Sequence, residues 1–255
     1  IILTLIAFAA LTKSAQTPFH IWLPDAMTAP TPASAYLHSA TMVKAGIYLI
    51  ARLNPILGQT EAWFWIFSIF GLITMLTGAY LGLRQNDLKA LLAYSTISQL
   101  GVMVLLVGQD TDIAFKALVI SVIAHGLYKS ALFLVAGIVD HETGTRDLRQ
   151  LGNLRKVMPI STVIAFVAGL SMAGLPPMFG FLAKETLLAT SVHPSLPRTV
   201  AALFPIAIVF GGALILAQAG LFVWETFFGK LKNTTIQPHE APLGMLAAPF
   251  IPAFL

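Results

Sequence analysis

Apolar residues in this chain come in long runs rather than alternating singly with polar ones. Crossing a bilayer as a helix takes about 20 mostly apolar residues. Runs of that kind fall at 31–52, 62–84, 88–108, 113–139 and 199–229, and another begins near 242. Two further runs are interrupted. Residues 1–27 break at Ser14-Ala15-Gln16-Thr17-Pro18, and residues 159–191 break at Gly174-Leu175-Pro176-Pro177. Proline removes a backbone donor and crowds the preceding turn, so Pro18, Pro176 and Pro177 read as helix breaks. Unwound backbone at membrane depth is tolerated only inside protein or beside water. The pattern predicts an all-α fold, a polytopic transmembrane helical bundle with two discontinuous helices. No segment between the runs is long enough for a separate soluble domain, so 1–255 reads as a single transmembrane domain. The longest connection, 140–158, has the spacing of a short interfacial helix. The chain opens on Ile1 without Met and closes inside an apolar run, so it reads as a fragment of a longer protein, with 242–255 a truncated helix.

Composition sharpens this picture. The chain is 57% hydrophobic and 10% charged, with a mean hydropathy of +0.82. Soluble domains carry about 25% charged residues, so a soluble enzyme or binding module is excluded. With no cysteine, disulfide frameworks and thiolate metal sites are excluded too. The six histidines are dispersed, with no H-x-x-x-H or H-E-x-x-H spacing, so no metal site and no cofactor is read from them. The net charge of +4 does not indicate nucleic acid, because the basic residues sit in short loops beside apolar runs. Arg84, Lys89, Arg146, Arg149, Arg155, Lys156, Lys230 and Lys232 fall on one side if the spans alternate, and only Arg52 and Arg198 on the other. That bias places the first group in the cytoplasm.

Five lysines remain, and all lie within runs: Lys13, Lys44, Lys116, Lys129 and Lys184. A charge at the bilayer centre costs about 2.5–3.5 kcal/mol on insertion scales, so such residues normally face the protein interior and serve a purpose. His125 and Lys129 stand at i, i+4 on one helix face. Histidine exchanges a proton near neutral pH, so a His–Lys ladder is a candidate proton relay, with His38 and Lys44 on a neighbouring span. Lys13 ends the first half of one interrupted run, where free carbonyls favour a positive charge. Lys184 follows the second interruption and precedes Glu185. Broken helices at matching positions in two halves point to a transporter's ion site. Plainer readings stand beside these: Lys116 as a snorkelling residue near the outer end, His20 as an interfacial anchor, His38 and His125 as interhelical glue, Glu185 as a buried partner of Lys184, and Lys89 as a positive-inside residue. His141, His193 and His239 are loop residues with no role assigned.

Four blocks in order carry a resemblance. They are Lys13-Ser-Ala-Gln-Thr-Pro-Phe-His-Ile-Trp-Leu-Pro-Asp-Ala-Met with Pro30-Thr-Pro-Ala-Ser-Ala-Tyr-Leu-His-Ser-Ala-Thr-Met-Val-Lys-Ala-Gly; Asp87-Leu-Lys-Ala-Leu-Leu-Ala-Tyr-Ser-Thr-Ile-Ser-Gln-Leu-Gly; His125-Gly-Leu-Tyr-Lys-Ser-Ala-Leu-Phe-Leu; and Gly174-Leu-Pro-Pro-Met-Phe-Gly-Phe-Leu-Ala-Lys-Glu. The chain resembles the antiporter-like subunits of respiratory complex I and of the Mrp multisubunit cation/proton antiporters. Val139-Asp-His-Glu-Thr-Gly-Thr-Arg-Asp-Leu and His239-Glu-Ala-Pro-Leu are similar to the large A subunit of Mrp antiporters.

The resemblance implies the antiporter-like fold with inverted repeats, each with one broken helix. Residues 1–52 would end the first repeat, 62–229 would form the second, and 242–255 would begin the next helix. It implies a proton relay of Lys13, His38, Lys44, Lys89, His125, Lys129 and Lys184, with Glu185 beside the last, in a Na⁺/H⁺ antiporter subunit of the cell membrane. Its partners would be other membrane subunits of a hetero-oligomeric complex, protons, Na⁺ and lipid, with no nucleic acid. The alternative is a non-redox, proton-pumping subunit of NADH-quinone oxidoreductase or of a related membrane-bound hydrogenase; a scaffold with a vestigial axis is the structural rival. Many relatives carry a histidine one turn before His125, where this chain has Ser121. The glutamate that partners the Lys13 position in the family lies before this chain begins.

Overall fold

The structure, a computed structural model, describes residues 1–192, 202–230, 232 and 238–254. His193, Arg198 and the first residues of the 199–229 run lie outside the described residues. Among the described residues the secondary structure is helical apart from one isolated bridge, Asp87 with Asp147. Eleven α-helices follow one another: α1 Ile2–Lys13, α2 Trp22–Asp25, α3 Thr31–Ser39, α4 Ala45–Leu57, α5 Glu61–Gly82, α6 Leu88–Gln109, α7 Asp112–Thr143, α8 Pro159–Ala173, α9 Phe179–Ser191, α10 Leu203–Val223 and α11 Leu243–Phe254. Four are long and apolar enough to cross a membrane: α5, α6, α7, and α10 with the π-turn Trp224–Phe228 that continues it.

Local sequence sets the starts of the long helices. Thr60, Asp87 and Thr111 each accept from a backbone N–H three residues on, at Trp63, Ala90 and Ala114, which satisfies donors that a helix start leaves free. α6 is buried along nearly its whole length and is the central pillar. It packs closely on α5 because Gly71 and Gly101 face each other's backbone: a Cβ at either would lie 2.7 Å from the other's carbonyl oxygen. Without a hydrophobic drive between helices in lipid, small residues of this kind let the backbones approach. The outer face carries exposed Ile69, Ile73, Val119, Ile123, Val209 and Phe210, apolar residues suited to lipid.

The interrupted runs resolve unequally. α8 ends at Gly174, which sits at φ +72° and closes the helix with Leu175 N–H donating to Leu170 O at 3.1 Å. Pro176 and Pro177 come next, and α9 resumes at Phe179. α1 ends at Lys13, residues 14–21 then turn, and a short second half follows, the four-residue α2 continued by a 3-10 turn, Ala26–Thr28. The turn docks on α5 through Thr17 N–H to Thr74 Oγ1, 2.9 Å.

The run 31–52, expected as one continuous helix, is broken. α3 stops at Ser39, Ala40 and Thr41 leave the helix, and a 3-10 turn Met42–Lys44 leads into α4. Two hydroxyls account for the stop. Ser39 Oγ bonds back to Ala35 O, and Thr41 Oγ1 donates to Tyr36 O at 3.3 Å. Such back-bonding competes with the helical ladder and bends it. α4 restarts on a borrowed cap, with Ser14 Oγ accepting from Ile47 N at 3.1 Å.

The 140–158 connection also differs from expectation. α7 runs on to Thr143, and the residues between it and α8 hold one 3-10 turn, Leu154–Lys156, with no interfacial α-helix. The segment is held instead by pairing across the bundle end, Leu88 N to Arg146 O and Leu148 N to Asn86 O. Asp147 Oδ1 accepts from Arg149 N at 2.9 Å in a local turn.

Candidate functional site

α7 and the broken α3–α4 span build the centre of the site. They run antiparallel, with the ring of His38 6.2 Å from that of Phe133, and Lys44 Nζ donating to Val122 O at 2.9 Å. The break at Ala40–Thr41 therefore lies beside the stretch of α7 that carries His125 and Lys129. Gly126 faces it: a Cβ there would lie 3.5 Å from Lys44 Nζ and 3.8 Å from Ser39 O. Both are ordinary contact distances, so this face of α7 packs directly on the unwound backbone.

Lys129 is fully buried. Its amine donates to Leu92 O at 3.1 Å and to Ser95 Oγ, both on α6. His125, one turn earlier, is fully buried as well; its ring meets Tyr128 edge-on, and neither ring nitrogen has a hydrogen-bond partner. His125 lies within electrostatic reach of both Lys44 and Lys129. His38 is 1% exposed with Nδ1 unpartnered. An unpaired buried polar group is costly, and three such nitrogens lie in the same region as two amines.

Lys89, on the first turn of α6, is 2% exposed and donates to Ala29 O at 3.1 Å. Asp87, Asp140 and Arg146 surround it at this end of the bundle, with Arg146 Nε 3.1 Å from Asp87 Oδ2. One and two turns further along α6 come Leu92 and Ser95, the partners of Lys129. Lys44, His125 and Lys129 are thus brought together with His38 at their edge, while Lys89 lies two turns away from Ser95 on the same helix.

Lys184 occupies a second centre. Its amine donates to Ala173 O, the last carbonyl of α8, at 2.6 Å, and its stem passes over Gly174, where a Cβ would run into it. It lines a cavity of about 290 Å³ together with Ser98, Gln99, Ser121, Tyr128 and Ser171. The cavity joins the α8–α9 break to the face of α7 just before His125, and Ser121 opens onto it.

Other candidates stand apart. Lys13 lies exposed at the end of α1, Glu185 is exposed and makes no ion pair with Lys184 among the described residues, and Lys116 is exposed near the start of α7. His20 is half-buried and packs edge-on near Tyr94. Pro18 sits in the turn after α1. Among the described residues, no group of three or more His, Asp or Glu could hold a metal ion.

Sequence reasoning missed several participants. Ser95 could have been found from its place on α6, since Leu92, Ser95 and Thr96 share one face at helical spacing. Gln218, fully buried on α10, donates to Ala79 O at 2.6 Å; its signal was an amide inside an apolar run. His141 and His239, given no role, both meet Glu142, at 2.9 and 2.8 Å, and tie the segment before α11 to the end of α7.

The chain matches, over residues 1–211, the family described as NADH:quinone oxidoreductase/Mrp antiporter, TM. It is 47% identical over 247 residues to a Rhizobium meliloti protein described as a probable K(+)/H(+) antiporter A/B subunit, covering 96% of this chain and 25% of that one. It is 45% identical over 268 residues to the A subunit of the Na(+)/H(+) antiporter of Alkalihalophilus pseudofirmus, covering 97% of this chain and 33% of that one. Among solved structures it superposes on a chain of the Mrp complex from Dietzia sp. with TM-score 0.90 at 41% identity, over 98% of this chain and 27% of that one. It also superposes on a chain of an archaeal membrane-bound sulfane sulfur reductase with TM-score 0.89 at 28% identity, over 98% of this chain and 43% of that one. The chain spans a quarter to a third of the length of these two curated relatives. On that match, this multi-pass membrane chain belongs to the NADH:quinone oxidoreductase/Mrp antiporter transmembrane family.

Proposed function

We propose that this chain is the proton-handling part of a multisubunit cation/proton antiporter of the Mrp type, acting in the cell membrane with other membrane subunits. The observation that carries the reading is the juxtaposition of Lys44, His125 and Lys129 at an unwound helix in the bundle interior. Buried amines this deep would be replaced at little loss by neutral residues if packing were their only task. Protons would pass along Lys89, Lys129, His125 and Lys44, with His38 beside them. Water in the Ser121-lined cavity would extend the path to Lys184, since the cavity is roomy enough to hold it and Ser98, Gln99, Ser121, Tyr128 and Ser171 offer polar partners in an otherwise apolar lining. Lys13, Glu185 and the unwound segments at Pro18, Pro176 and Pro177 belong to the same reading: Lys13 as the end of the axis that meets the preceding part of the protein, and Glu185 as a partner toward neighbouring subunits. Residues 1–52 and 62–229 would be parts of two inverted repeats.

Similarity to subunits named for K⁺ and for Na⁺ supports an alkali cation as the exchanged ion, with Na⁺ preferred on the number of relatives. A second reading, a proton-pumping subunit of a respiratory membrane complex, draws support from the fold shared with the sulfane sulfur reductase. Proton movement by the full complex in inverted vesicles tests the proposal. Lys129→Ala is expected to abolish Na⁺- or K⁺-driven proton uptake; uptake at the wild-type rate would overturn the relay.

A further inference from the structure

A groove between α8 and α10 opens on the lipid-facing surface near the cytoplasmic end. Its volume is about 280 Å³, and Phe166, Leu170, Leu216, Gly220 and Val223 line it. Gly220 leaves it open: a Cβ there would meet no atom within 4 Å. On α10 and the π-turn that continues it, the lining runs from Leu216 to Phe228. At 1.5 Å per residue that is about 18 Å, close to the half-thickness of a hydrocarbon core of about 30 Å.

The cytoplasmic mouth is aromatic and basic. Trp224, 62% exposed, stacks on Phe228 with centroids 5.9 Å apart, and the guanidinium of Arg155 lies 5.2 Å from the centre of the Phe228 ring. Lys156 stands beside it, and both basic residues are exposed without an ion-pair partner among the described residues. The nearby acid, Glu225, is occupied by Lys232. Tryptophan and arginine at this level are what a headgroup region accommodates.

We propose that this groove is a binding site for one anionic phospholipid of the cytoplasmic leaflet. An acyl chain lies between α8 and α10 down to the Pro176–Pro177 break, and the phosphate sits on Arg155 and Lys156. The one-leaflet length and the unpaired positive charge at one end only distinguish this occupant from a transmembrane helix of another subunit, which would cover both leaflets and need no anion.

The full-length protein in nanodiscs of phosphatidylglycerol mixed with phosphatidylcholine tests the site, with retained lipid counted by native mass spectrometry. Wild type should retain phosphatidylglycerol over phosphatidylcholine by about thirtyfold, from two basic residues at the surface. Arg155→Gln with Lys156→Gln should erase the preference while leaving a phosphatidylcholine bound. Gly220→Leu, which fills open space and suits a helix, should lose both lipids. A benzophenone amino acid at position 220 should cross-link to lipid. Equal retention of the two lipids by wild type, full retention by Gly220→Leu, or cross-linking of position 220 to protein would each overturn the proposal.

Discussion

Lys184 Nζ donates to the carbonyl oxygen of Ala173 at 2.6 Å, so the amine of one half-helix closes the end of the other across the Pro176–Pro177 turn. The last carbonyls of α8 carry partial negative charge that favours an ammonium group. The same carbonyl can keep the amine in place after it loses a proton.

Gly174 is the residue that makes this possible. Its left-handed backbone costs an L-residue about 1–2 kcal/mol, and a Cβ would displace the Lys184 stem. Gly174→Ala should lower stability by about that amount and slow proton transport further than the stability loss explains. Thermal unfolding in detergent, measured beside vesicle proton uptake, checks both. Lys184→Met should keep near-normal stability and lose transport.

Ser95 is the one side chain that meets the amine of Lys129. Ser95→Ala leaves that buried donor with a single backbone partner, a loss of about 1–3 kcal/mol, or roughly five- to 150-fold in rate. Ser95→Thr keeps the hydroxyl and should restore most of the rate. A merely structural role for Ser95 would leave transport unchanged in the alanine variant at temperatures where the protein stays folded.

Glu240 supplies the cap that α8 lacks. Its carboxylate accepts from Ile160 N at 2.7 Å and from Ser161 Oγ at 2.6 Å, reaching across from the segment before α11. Glu240→Ala should destabilise by about 1–2 kcal/mol, and Glu240→Gln by less because an amide oxygen still accepts. Melting temperatures of the two variants give the comparison.

A pH effect is expected in the loop between α7 and α8. The hydrogen bond from the Arg149 side chain, joined by its backbone N–H and charge, holds the Asp147 carboxyl down to about 2. A depressed carboxyl adds stability that is complete above the ordinary carboxylate range and disappears as pH falls through about 2. Hydrogen exchange at Leu148 and Arg149 should be protected at pH 5 and lose protection near pH 2. Asp147→Asn should show the weaker protection at both.

Much of this architecture is legible from residue pattern. The apolar runs give the long helices within a few residues, and the i, i+4 spacing of His125 and Lys129 places both on one buried face. Three features are not. Between His38 and Lys44 there is no proline or glycine, and the helix is undone by two hydroxyls whose effect depends on where they turn. Residues 14–21 read as a gap between half-helices, yet the polar groups of that turn are used to dock on α5 and to cap α4. The partners of Lys44, Lys89, Lys129 and Lys184 include backbone carbonyls from distant helices, and side-chain identity carries no trace of them.

The interruption between α3 and α4 has an electrical meaning as well as a geometric one. α3 ends there on its carbonyl side and α4 begins there on its amide side, so a negative pole and a positive pole of the backbone face each other. A cation held near Ser39 sits in a more favourable potential than the same cation one turn into α4. The protein therefore carries a step in potential along its own interior, written in peptide groups and kept by the two hydroxyls that end α3.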